Sequence, residues 1–164
     1  MGLMDMQVRT KVNVGDPAPD FSLPSHKGRI VKLKDLLEES LKGATVFFYP
    51  KDHSPVCTIE NCIFRDFHEA FTKEGVGVVG ISTDTLESHE RFAKKHGLPF
   101  DLLSDKDGTI RKRYGVPSFM GLMPGRATYV IDKQGIVRYV FTAQIMVKSH
   151  IKKALEAIEK LKEA

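Results

Sequence analysis

Two short runs, residues 45–49 (Thr-Val-Phe-Phe-Tyr) and residues 76–81 (Val-Gly-Val-Val-Gly-Ile), are rich in β-branched and aromatic side chains and lack polar alternation. Between them, beyond Pro55, Ile63, Phe67, Ala70 and Phe71 recur at helical spacing up to Gly75, a residue suited to ending a helix. A strand without alternation is covered on both faces. The pattern therefore specifies a buried β-α-β unit with parallel strands and a right-handed crossover.

The remaining segments are read around that unit. Residues 20–24 and 29–33 are strand-like and flank a turn at Gly28, which makes an N-terminal hairpin. Asp84 with Glu87 resembles a capping box opening a helix that ends near Gly97. Residues 100–103 suit a further strand, and Ile110 with Tyr114 marks a short helix stopped at Gly115. Residues 127–131 and 136–141 form an antiparallel hairpin, and Ser149 is expected to cap a last helix with Ile151, Leu155, Ile158 and Leu161 on one stripe. The fold class is α/β, a mixed central sheet flanked by helices with an N-terminal β-hairpin extension, and thioredoxin-like folds fit this order. Residues 1–12, with three methionines and little periodicity, are expected to be a flexible leader, and residues 13–164 a single domain.

The chain has 164 residues, 41% of them hydrophobic, which suffices for one core. Its net charge of +4 comes from 25 basic residues scattered among 21 acidic ones, with no dense basic run for nucleic acid. No secretory signal pattern and no apolar run of membrane-spanning length is visible. The expectation is a cytoplasmic protein, monomeric or weakly dimeric, without membrane or nucleic-acid partners.

The only two cysteines, Cys57 and Cys62, lie directly after the first buried strand. A thioredoxin-type pair has two residues between its sulfurs and zinc modules usually repeat such pairs; neither pattern is present. On an intact helix five residues mean about 500° of rotation and about 7.5 Å of rise, so the two thiols point to different faces. Either they never bond or the helix must first melt, because a disulfide spans Cα separations of at most about 7 Å.

Cys57 falls in the first turn of the helix, at the carboxyl end of a parallel strand, where ligands gather in open α/β sheets and helix N-termini expose backbone donors. An ordinary thiol is only about 3% thiolate at pH 7, and bringing one to pKa 6 takes about 3.4 kcal/mol. A helix dipole supplies roughly 0.3–1 kcal/mol, at most about 2, so a cation and direct hydrogen bonds must contribute. Arg126 is the best candidate. If residues 127–131 run antiparallel to residues 45–49, the start of one strand lies where the other ends. Ser54 adds a hydroxyl three residues before the sulfur.

Pro50-x-x-x-Ser54-x-x-Cys57 resembles the peroxiredoxin motif Pro-x-x-x-Thr/Ser-x-x-Cys, and Arg126-Ala-Thr-Tyr-Val-Ile-Asp132 resembles that family's second signature. Gly15-Asp-Pro-Ala-Pro-Asp-Phe-Ser-Leu-Pro24 looks like the family's opening, so the similarity runs through nearly the whole chain. The Cys-x-x-x-x-Cys spacing, followed by Phe64-Arg65-Asp66, is similar to the peroxiredoxin Q, or bacterioferritin comigratory protein, group.

The resemblance implies a thiol-dependent peroxidase for hydrogen peroxide and organic hydroperoxides, without a cofactor. It makes Cys57 the peroxidatic cysteine, Cys62 the resolving cysteine, and Pro50, Ser54 and Arg126 the supporting residues. It further implies a Cys57 sulfenic acid, an intramolecular disulfide to Cys62 after the first helical turn unwinds, and reduction by thioredoxin or a similar dithiol. One departure stands out: many members of the group carry Phe-Thr-Pro-Gly-Cys where this chain has His53-Ser-Pro-Val-Cys57. Serine keeps the hydroxyl and loses the methyl that restricts its rotamer. His53 is expected to face solvent.

Two other classes remain open on the residues alone. His53, Cys57, Cys62 and His68 mix imidazoles and thiols as zinc sites do, although without the close pairs that wrap a metal. A noncatalytic thioredoxin-fold binding module would keep the scaffold without turnover, and Cys62 by itself also reads as a small buried hydrophobe.

Overall fold

The structure, a computed structural model, describes residues 12–119, 123–142 and 147–161. An antiparallel hairpin pairs β1 (Ser22–Pro24) with β2 (Ile30–Lys32), and Gly28 in its turn has a φ of 81°. A helix that the sequence reading missed follows at once: α1 (Leu33–Glu39), which buries Leu33 and Leu37, four residues apart and so on one face. With two turns it is too short for a periodic signal, and its first residue reads as the end of the preceding strand.

The central unit is β3 (Gly43–Phe48), α2 (Pro55–Lys73) and β4 (Val76–Ser82), with β3 and β4 parallel and Val46 opposite Val79. Every residue of β3 is buried, which is the reason its sequence does not alternate. Next come α3 (Leu86–His96), β5 (Asp101–Ser104) parallel to β4, and α4 (Thr109–Tyr114). A small antiparallel pair, β6 (Ser118–Phe119) with β7 (Met123–Pro124), precedes β8 (Ala127–Asp132), β9 (Val137–Phe141) and α5 (Val147–Glu159). The five-stranded sheet has the order β5-β4-β3-β8-β9, with β8 antiparallel to both of its neighbours.

Apolar side chains fill both faces of this sheet. On one, Leu33 and Leu37 of α1 and Ile110 and Tyr114 of α4 pack on Val46, Phe48, Tyr129 and Ile131. On the other, Phe64 and Phe71 of α2, Phe92 of α3 and Ile151 and Ile158 of α5 cover Phe47, Val78, Leu102 and Val130. Phe47 and Phe64 stack with centroids 4.1 Å apart, tying β3 to the helix that follows it. A mixed sheet layered by helices, with a hairpin before it, is the thioredoxin-like α/β arrangement.

Three local expectations change. The N-cap of α3 is Thr85, whose hydroxyl accepts from the Ser88 amide at 3.1 Å, and Asp84 instead accepts from the amide of Asp52. Ser149 lies inside α5 rather than before it. Val12, assigned to the leader, is buried in the core with its amide donating to the Tyr114 carbonyl at 3.3 Å; the rest of the leader, residues 1–11, lies outside the described residues.

Candidate active site

β3 ends at Phe48, and the chain passes through Tyr49 and a turn at residues 50–54 into α2, with Ser54 as N-cap, Pro55 in the first helical turn and Cys57 two residues later. Proline suits that first turn because its missing N–H would have no partner there. Ser54 makes no side-chain capping bond, which leaves the amides of Val56 and Cys57 facing outward from the helix end. Its hydroxyl, in a half-buried residue, donates to the Lys51 carbonyl at 2.9 Å, which leaves the oxygen able to accept. Pro50 is half-buried as well.

Ala127 pairs with Phe48 across β8 and β3, so Arg126 arrives where β3 ends. The guanidinium is 3% exposed, and its Nη2 donates to the Cys57 sulfur, 1% exposed, at 3.4 Å. The strand-register argument thus brings together Arg126 and Cys57. Cys62 is half-buried further along α2, and both thiols are free. His53 is exposed, with its ring edge-on to Phe92 at 5.0 Å and a φ of 65°.

Two participants escaped the sequence reading. Glu60, one helical turn after Cys57 and fully buried, accepts from Arg126 Nη1 at 2.5 Å. Its position three residues beyond the cysteine puts both on one helix face, a signal visible in the sequence once Arg126 is placed there. Burial pushes the Glu60 carboxyl up against the lowering pull of Arg126, and its Oε2 has no hydrogen-bond partner among the described residues. For Arg126 burial pushes downward, but Glu60 and Cys57 outweigh it and hold the guanidinium above its ordinary value. The second participant is Arg111 of α4. Its Nη2 donates to the Gly125 carbonyl, next to Arg126, at 2.7 Å, and it lies within the electrostatic reach of Cys57. Burial lowers its pKa.

The zinc alternative finds no geometry: among the described residues, the His, Cys and acidic ligand atoms that converge are those of Asp52, Asp84 and His89, and the set His53, Cys57, Cys62 and His68 does not. What the site offers is a buried thiol at a helix N-terminus, a guanidinium touching its sulfur, and free amides beside both. Such a site places hydrogen-bond donors where an oxyanion develops next to the sulfur.

The AhpC/TSA family model matches residues 14–140. A chloroplastic peroxiredoxin Q of Sedum lineare is 46% identical over 153 residues, covering 93% of this chain and 81% of that protein. A chloroplastic peroxiredoxin Q of Oryza sativa subsp. japonica is 44% identical over 154 residues, covering 92% and 69%. The crystal structure of peroxidoxin BcpB from Mycobacterium tuberculosis superposes with a TM-score of 0.82 at 34% identity, covering 90% of this chain and 97% of that one.

These names overturn the expected cytoplasmic location, since the plant relatives are named chloroplastic. Two free thiols ask only for a compartment that keeps them reduced, and that condition does not single out the cytosol. A buried thiol held by a guanidinium at a helix N-terminus, within a chain this similar along most of its length, has one reading: the chain belongs to the AhpC/TSA family and is a peroxiredoxin, a thiol-dependent peroxidase.

Proposed function

We propose that Cys57 is the peroxidatic cysteine and Cys62 the resolving one. The observation that carries this is the 3.4 Å contact between Arg126 Nη2 and the Cys57 sulfur at the N-terminus of α2. The Cys57 thiolate attacks the terminal oxygen of a hydroperoxide, the S–O bond forms as O–O breaks, and water or an alcohol leaves after taking up a proton. Arg126 and the amides of Val56 and Cys57 stabilise the charge that develops on the departing oxygen. Ser54, with its own proton committed to Lys51, accepts a hydrogen bond from the peroxide O–H. Pro50 shapes the turn that brings Ser54 to this point.

The sulfenic acid then condenses with the Cys62 thiol, giving a disulfide and water. Because α2 runs unbroken from Pro55 to Lys73, this step requires its first turns to open. A thioredoxin-like dithiol reduces the disulfide and is itself oxidised, which closes the cycle without a cofactor. The enzyme works as a monomer or weak homodimer, apart from membranes and nucleic acid: among the described residues the exposed large hydrophobics, Val14, Ile30, Leu41 and Ile59, are scattered along the chain. Mass spectrometry of reduced protein after one equivalent of peroxide, without reductant, tests the cycle. The expected product is a Cys57–Cys62 disulfide within one chain; a reduced chain, or one with a disulfide between chains, refutes it.

A further inference from the structure

The turn between β3 and α2 decides where Cys57 enters its helix, and its central residue is buried although it is charged. Asp52 is 2% exposed; its Oδ1 accepts from the Tyr49 hydroxyl at 2.6 Å and its Oδ2 from the Ser88 hydroxyl at 2.8 Å. The same Oδ2 lies 2.7 Å from Nδ1 of His89, a wholly buried residue of α3. The Asp52 amide donates to Asp84 Oδ2 at 2.8 Å, an atom that also accepts from the Ser82 hydroxyl at the end of β4. Burial pushes the Asp52 carboxyl up, yet the hydrogen bonds from His89, Tyr49 and Ser88 together hold it below its ordinary value.

On its other side His89 Nε2 lies 3.0 Å from the Leu103 carbonyl oxygen in β5. A carbonyl oxygen only accepts, so Nε2 donates to it. The ring is therefore held by Asp52 at one nitrogen and anchored to the sheet at the other. What the pair holds is strained: His53, the residue after Asp52, sits at a φ of 65°, in the left-handed region that costs a side-chain-bearing residue roughly 1–2 kcal/mol. The ligand atoms of Asp52, Asp84 and His89 lie within 4.8 Å of one another, but protein donors already occupy both Asp52 oxygens.

We propose that the buried Asp52–His89 pair, with Tyr49 and Asp84, is a positioning device for the reactive thiol: it clamps the strained turn at residues 50–54 to β4, α3 and β5 and so fixes where α2 presents Cys57 to Arg126. This inference rests on the reading of Cys57 as the attacking thiol. None of the four residues is bonded to the sulfur; they act through the backbone that leads to it.

The test is stopped-flow oxidation of the reduced full chain by hydrogen peroxide, run beside alkylation of Cys57 by iodoacetamide. Peroxide needs the thiolate and its placement, whereas iodoacetamide needs little more than the thiolate. Asp52→Asn keeps the side chain's shape but turns an amide NH2 toward the donors that an oxygen now faces. Tyr49→Phe removes one hydroxyl from an intact core and serves where Asp52→Asn does not fold. Peroxide oxidation is expected to slow by roughly 10- to 100-fold in Asp52→Asn and several-fold in Tyr49→Phe, with alkylation changed by less than about 3-fold. Folded variants whose melting temperature falls while their peroxide rate stays within about twofold of the parent would overturn the proposal, as would a parallel fall in alkylation. A peroxide burst that survives Cys57→Ser, in a protein that retains Asp52 and His89, would instead overturn the reading on which the proposal rests.

Discussion

Arg126 Nη2 donates to the Cys57 sulfur at 3.4 Å although 69 residues separate the two along the chain. Sheet register makes the contact, since the residue before β8 lies beside the end of β3. Arg126→Met keeps much of the side chain's length and removes the cation. Cys57 oxidation by peroxide is expected to slow about 100-fold, by the measure of lost oxyanion donors. A variant with the parent's rate would show that the contact has no part in the chemistry.

Removing Arg126 also strands Glu60, which is fully buried and has no partner on Oε2. Breaking a buried ion pair from one side typically costs about 3–5 kcal/mol. Arg126→Met should therefore lose stability on that scale in urea denaturation, and the double variant Arg126→Met/Glu60→Gln should regain much of it. Its peroxide rate should stay low. Recovery of the rate together with stability would mean that Arg126 serves only the fold.

The two thiols are expected to fail in different ways. Cys57→Ser should abolish peroxide reduction. Cys62→Ser should react once and stop as a sulfenic acid, detectable by mass as one added oxygen and prone to further oxidation unless an external thiol intervenes. Unchanged turnover of Cys62→Ser with a thioredoxin-like reductant would remove it from the resolving role.

The sequence made the sheet legible wherever burial was complete. β3 and β4 read as covered strands because β-branched and aromatic residues run through them without polar alternation, and their position then placed Cys57 at a helix N-terminus and Arg126 beside it. The parts that stayed hidden are polar residues whose burial comes from distant segments. Glu60 reads as an ordinary helical carboxylate until Arg126, 66 residues away, meets it. Asp52 and His89 are likewise unremarkable in sequence, since only the approach of α3 to the turn after β3 encloses them. Asp84 was misplaced for the same reason: its short side chain suits a helix cap equally well, and the tertiary demand of the Asp52 amide outweighs that local preference.

His150 gives the fold a predictable acid sensitivity. Its ring lies on Phe141 with centroids 3.8 Å apart, Nε2 donates to the Phe141 carbonyl at 3.2 Å, and Nδ1 has no hydrogen-bond partner among the described residues. Burial, aided by Arg126 and Lys153 and opposed by that carbonyl, lowers its pKa from 6.5 to about 3. A folded-state pKa below the unfolded one means that the stabilisation is fully present above pH 6.5 and is lost as pH falls toward 3. Between pH 7 and pH 5 the loss amounts to about 2 kcal/mol. Urea denaturation at pH 7 and pH 5 should show the parent losing roughly that much more than His150→Gln. Equal losses would place the acid sensitivity elsewhere.

The last expectation concerns the helix that must open before Cys57 can reach Cys62. Within that stretch Glu60 Oε2 and Asn61 Oδ1 are buried without partners, and Asn61 Nδ2 is spent on the Cys57 carbonyl at 2.9 Å. Each orphaned buried group costs about 1–3 kcal/mol, whereas each backbone hydrogen bond broken by unwinding costs a net 0.5–1.5 kcal/mol or so. Opening this turn gives up the Glu60–Arg126 pair, but it lets both orphans reach water and leaves the apolar packing of the rest of α2 in place. Farther along, Phe64 stacked on Phe47 and the buried Phe71 hold the rest of α2 against the sheet. Hydrogen exchange on reduced and peroxide-treated protein should therefore show acceleration confined to about residues 53–64, with β3 and β4 still protected. An intramolecular disulfide formed with unchanged protection across that stretch would mean that the oxidised chain joins its sulfurs without unwinding α2, and the proposed cycle would have to give up that step.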